Sequence, residues 1–171
     1  VPVSLDVRGW SEMHPLNGPA WSLFFEYVAN ILYAVLIRKF TSRWLAVLVF
    51  LAACALIHQC YTQGNNIGGW TLDAEQCRVG LTRLMFPFFG GLLLFRLCKP
   101  GRIRHGFWWC SLLLAGALAA PHVGGAENFR LNGLYDAFCI IVIFPAVVFL
   151  GASDIPGDIS SRASRFLGNI S

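Results

Sequence analysis

Glu26 sits inside an apolar run, with Leu23, Phe24 and Phe25 before it and Val28, Ile31 and Leu32 after it. A carboxylate among such neighbours is costly unless water, a partner charge or a ligand compensates it. Ser22, Glu26, Asn30 and Tyr33 are spaced four, four and three residues apart, so on a helix they share one face. A hydroxyl, a carboxylate, an amide and a phenol in line predict a polar cleft, with Glu26 as its candidate catalytic residue. Asn30 and Tyr33 lie deeper, where each needs a hydrogen-bond partner or water. Trp21, one residue before the stripe, reads equally well as an interfacial anchor or a cavity-lining ring.

Other groups carry weaker signals. Asp73 and Glu75 are close enough for paired-carboxylate work, but in the Gly-rich stretch that holds them solvated side chains are expected. The sequence contains no Gly-rich phosphate loop, GxSxG elbow or HExxH, each of which needs its own local geometry. Six cysteines (54, 60, 77, 98, 110 and 139) form no CxxC pair or His-rich spacing, so no metal site is expected and most read as small apolar helix residues. A shared external loop for Cys60 and Cys77, closed by a disulfide, is one alternative.

The elements that must position these groups follow from composition. Of the 171 residues, 56% are hydrophobic and 13% charged, and the mean hydropathy is +0.60; soluble domains carry about 25% charged residues. The apolar residues gather into continuous segments, which suit helices crossing a roughly 30 Å hydrocarbon layer and not the ~10-residue alternating strands of a barrel. The expectation is an all-α, polytopic transmembrane helix bundle of five spans, at about 20–37, 44–61, 79–97, 107–123 and 133–152. Pro19 suits a first helical turn. Pro87 predicts a kink in the third span, Gly90 and Gly91 predict close helix packing there, and Trp108 and Trp109 suit a membrane interface. The first residues show neither an initiator Met nor a cleavable signal, which suggests a piece of a longer protein.

The formal charge of +4 does not point to nucleic acid, because its position is that of a membrane protein. Loops after the first, third and fifth spans hold Arg38, Lys39, Arg43, Arg96, Lys99, Arg102, Arg104, Arg162 and Arg165, while the other two hold only Arg78 and Arg130. The basic bias predicts that the first set is cytoplasmic and that residues 1–18 are external. Labelling Asn65→Cys and Gly101→Cys variants from each side tests this; external access to position 101 reverses it. In this topology Glu26, His58, Arg83 and Asp136 fall at similar depth on four helices. They are expected to face the bundle interior and one another, with Glu26 and Arg83 the first pair to draw. His58 also reads as interfacial, and Arg83 and Asp136 as helix-holding groups.

Asn17-Gly-Pro-Ala-Trp-Ser-Leu-Phe-Phe-Glu26 closely resembles the WSL-x-x-E signature of the membrane-bound acyltransferase family 3, which includes O-antigen and exopolysaccharide O-acetyltransferases. Arg83-Leu-Met-Phe-Pro-Phe-Phe-Gly-Gly-Leu-Leu resembles its arginine-led, glycine-containing helix. Phe166-Leu-Gly-Asn-Ile-Ser171 resembles the start of its lG-x-iSYplY helix. The resemblance implies that residues 1–171 belong to a single integral-membrane acyltransferase domain in a bacterial inner membrane. It implies transfer of an acyl group, usually acetyl, from acyl-CoA to a carbohydrate hydroxyl, with no bound cofactor. Nothing here corresponds to the family's N-terminal helices, whose essential His would be the general base, and the last helices are also missing. Glu26 would then support that absent His or bind sugar hydroxyls, with Trp21, Ser22, Asn30 and Tyr33 at the substrate and Arg83 meeting Glu26 or the donor's phosphates. Two other classes stay open on the residues alone. A transporter or flippase would use an intramembrane Glu and Arg in a solute path, and a structural subunit would use the polar stripe only as a packing seam.

Overall fold

A computed structural model describes residues 14, 17, 20–35, 39–99, 101–121, 125 and 127–155. Most of the lead-in, the end of the first expected span and the closing 166–171 motif lie outside the described residues. Five apolar helices are described: α1 (Ala20–Val35), α2 (Ser42–Gln63), α3 (Ala74–Leu97), α4 (Gly106–Ala119) and α5 (Phe129–Ala152). The molecule is the expected transmembrane helix bundle. Helices α2, α3 and α5 are long and apolar enough to cross a membrane, whereas α1 and α4 have 16 and 14 described residues, short of the ~20 a full crossing takes.

Two boundaries differ from the sequence reading because capping and tertiary packing extend the helices. Helix α3 begins at Ala74, not near 79, because Asp73 caps it by accepting the Gln76 N–H at 2.8 Å, which satisfies one of the open donors of the first turn. The Thr71 hydroxyl also donates to Asp73. These two bonds, the Thr71 one larger, hold the Asp73 carboxyl below its ordinary pKa. Asp73 therefore serves as a helix cap. Helix α5 begins at Phe129 and contains a π turn over Cys139–Ile143 just ahead of Pro145. Proline cannot donate to the Ile141 carbonyl, and in this turn the Phe144 N–H bonds to Cys139 instead. By contrast, α3 remains helical through Pro87.

Helix α2 is the central element and packs most extensively on α3 and α5. One apolar layer joins Ala52, Leu56 and Cys60 of α2 to Phe86 of α3 and Ala137 of α5; a second centres on Leu45 and Phe89, with Leu32 and Tyr33 of α1 against them. Gly133 permits the α2–α5 contact, since a Cβ there would run into the Cys60 carbonyl oxygen. The expected Gly90-Gly91 packing is not found: Gly91 faces open space, and the nearest atoms to a Cβ on Gly90 are those of the Phe86 ring on its own helix, at ordinary contact distance. Cys60 and Cys77 are free thiols. Cys60 is buried within α2 and does not reach a shared loop, so the disulfide alternative is corrected.

Helix α4 lies along the second half of α5, with the Cys110 thiol 3.1 Å from the Val147 carbonyl oxygen. The Tyr135 hydroxyl donates to the Ala117 carbonyl at 2.6 Å. A two-residue parallel ladder, β1 (Ile103–Arg104) with β2 (Asp154–Ile155), ties the α3–α4 connection to the end of α5. Large apolar side chains point outward along the bundle, Phe95 being 85% exposed and Tyr27 71%. Such faces suit hydrocarbon and not water.

Candidate functional site

The polar stripe of α1 opens onto a cavity of about 490 Å³ between α1, α3 and the middle of α5. Ser22, Glu26 and Asn30 form its polar wall. Arg83 and Pro87 line it from α3, and Ile140 and Phe144 from α5. Asn66, from the α2–α3 connection, also lines it. Trp21, Phe25, Leu84 and Phe88 make most of the remaining surface apolar.

Local sequence explains how α1 presents this wall. Positions 22, 26 and 30 share a face, while Phe25 and Ala29 on the neighbouring face are buried and anchor the helix. The Phe25 ring packs where a Cβ on Gly80 of α3 would have to sit, so Gly80 sets how closely α1 and α3 approach. Trp21 meets Phe25 edge-on, their centroids 6.2 Å apart. The Asn30 amide donates to the Glu26 carbonyl one turn back at 2.9 Å, which provides the partner the sequence demands.

The structure separates the residues grouped by depth. Tyr33 does not line the cavity and packs on the layer around Leu45 and Phe89; it shares the face of Ser22 and Glu26 but lies about a turn further along α1 than Asn30. His58 is exposed near the end of α2, and neither it nor Asp136 lines the cavity. Glu26 and Arg83 do share it, yet they form no ion pair among the described residues. The Arg83 guanidinium donates to the Gly68 carbonyl and lies over the Trp21 ring, 4.7 Å from its centroid. The expected Glu26–Arg83 pair is thus replaced by a bond to the α2–α3 connection and a cation–π contact.

That connection is the part the sequence reading missed. Gly68 and Gly69 have φ of 133° and 98°, a region that side chains disfavour. A Cβ on Gly69 would press on the Gly80 backbone and the Trp21 ring. The Gly69 N–H donates to the Gln76 side chain at 2.6 Å. Two bonds to α3, from Arg83 and to Gln76, therefore hold the connection against the helices and bring Asn66 to the cavity. The signal in the sequence was a stretch rich in Gly and Asn, which indicates a loop and no destination.

The site can accept hydrogen bonds at Glu26, donate or accept them at Asn66, and surround an apolar group with aromatic and aliphatic walls. No curated protein and no solved structure matches the chain. The model of acyltransferase family 3, described as an acyltransferase domain, matches residues 1–171. On that match, which takes in the Trp21–Glu26 stripe and the Arg83 helix that build the cavity, the chain belongs to acyltransferase family 3.

Proposed function

We propose that the chain forms the acceptor side of an O-acyltransfer site in a bacterial inner membrane. An acyl group, usually acetyl, passes from acyl-CoA to a hydroxyl of a cell-surface carbohydrate or related acceptor. The observation that carries this reading is the cavity itself, where Glu26 stands uncommitted to any ion pair among the described residues while Arg83 is held to one side.

In the reaction the acceptor oxygen attacks the thioester carbonyl, its proton passes to a base, and the CoA thiolate leaves. The base is a His contributed from outside this chain, and Glu26 orients it or stabilises its charged form. Ser22 and Asn30 meet the acceptor, with Trp21 as an apolar wall. Arg83 acts as a positioning residue, and Tyr33 belongs to helix packing. Acyl-CoA is consumed as a substrate, so no resident cofactor is required.

The test uses membranes containing the full-length protein, acetyl-CoA labelled in its acetyl group, and the cells' own surface polysaccharide after alkaline removal of its esters. Alkali-labile label on the polysaccharide is expected; its absence overturns the proposal.

A further inference from the structure

We propose that Asn66 is an acceptor-binding residue for a neutral polyhydroxyl group and that Gln59 is its positioning residue, an inference that rests on the acyltransfer reading above. Gln59 is 1% exposed and lies on the α2 face that also buries Leu56 and Cys60. Its Nε2 donates to Asn66 Oδ1 at 3.4 Å, while its Oε1 is buried with no partner. Leucine at this position would fill the same space without an orphaned oxygen. What glutamine adds is the bond to Asn66, and a polar group kept at a cost to the core marks a positional requirement.

The rest of the connection fixes Asn66 in the same way. Asn65 accepts from the Ile67 N–H at 2.9 Å and donates to the Gln63 carbonyl at 3.1 Å, forming a compact turn around position 66. Arg83 and Gln76 then clamp Gly68 and Gly69. With its Oδ1 engaged by Gln59, Asn66 has its Nδ2 donors left, and nothing among the described residues accepts from them. Asn66 itself lines the cavity that also holds Glu26. A residue with N–H donors to spare and a carboxylate acceptor lining one cavity match a hydroxyl-bearing ligand, since each hydroxyl both donates and accepts.

The experiment is the labelled-acetyl transfer assay on the full-length protein, with the de-esterified polysaccharide and acetyl-CoA titrated separately. Asn66→Ala is expected to raise the half-saturating polysaccharide concentration about tenfold while the acetyl-CoA value moves less than about twofold. Asn66→Asp, which keeps the acceptor for Gln59 and loses the donor, should show the same split. Gln59→Leu is expected to raise the melting temperature and still raise the polysaccharide value about fivefold, a combination that a purely structural role does not produce. Unchanged polysaccharide values in the Asn66 variants, or parallel shifts for both substrates, overturn the assignment of Asn66 and leave the acyltransfer reading standing. An unchanged value in Gln59→Leu removes Gln59 as its positioning residue. A wild-type protein that transfers no label overturns both proposals together.

Discussion

Replacing Glu26 with Gln in the full-length protein is expected to lower kcat/KM for acyl transfer roughly 10³-fold, about 4 kcal/mol of transition-state stabilisation. The carboxylate lies on a helix whose other cavity-lining groups, Trp21, Ser22, Phe25 and Asn30, are neutral, so it is the one negative charge that α1 contributes there. A group that orients a base or balances its developing positive charge acts mainly in the transition state, and its loss therefore falls on kcat. Gln has the same shape and breaks no ion pair among the described residues. Membrane insertion and the melting temperature should accordingly stay at wild-type values. Product at the wild-type level, assayed at matched protein in the membrane, would remove Glu26 from the mechanism.

Arg83→Met is expected to reduce transfer about 10²-fold by a different route. The Met side chain retains much of the apolar stem but loses the bond to the Gly68 carbonyl and the contact with Trp21. A charge-assisted hydrogen bond contributes about 1.5–3 kcal/mol and a cation–π contact about 0.5–2, enough to release both the α2–α3 connection and the indole. Arg83→Lys should recover only part of the activity, because a point charge cannot serve the carbonyl and lie flat on a ring as a guanidinium does. Polysaccharide half-saturation should rise in both variants, since Asn66 travels with the connection. Wild-type kinetics in Arg83→Met would show that the clamp does not position the site.

Much of the bundle was legible in the sequence. Continuous apolar runs located all five helices, because hydrocarbon leaves a chain no way to satisfy its backbone except within the segment. The ends of the helices were harder. Asp73, expected as a solvated side chain, caps α3 through its bond to the Gln76 N–H, and α5 gained a first turn from contacts with α2 that no local pattern announces.

The site divided along the same line. Ser22, Glu26 and Asn30 were readable because three residues at a helical period must share a face whatever surrounds them. Tyr33 shares that face as well, but it lies about a turn beyond Asn30, at the level of the Leu45 and Phe89 layer that it packs on, and a period says nothing of where along the helix a cavity ends. Arg83 was legible as a costly charge, but its partner was not. An arginine satisfies itself with the nearest fixed acceptor, here the Gly68 carbonyl, and the nearest aromatic face, and neither is encoded by a spacing on α3.

Glu26 on a polar stripe within an apolar helix, and with it an acid that needs a purpose, was thus determined by the sequence alone, through the fixed pitch of the helix. What Glu26 faces was decided only by tertiary structure. Gly80 lets Phe25 approach α3, Arg83 turns to the α2–α3 connection, and Gln59 meets Asn66 from inside the core. These contacts depend on which helices lie side by side, and the period of any one helix carries no information about its neighbours.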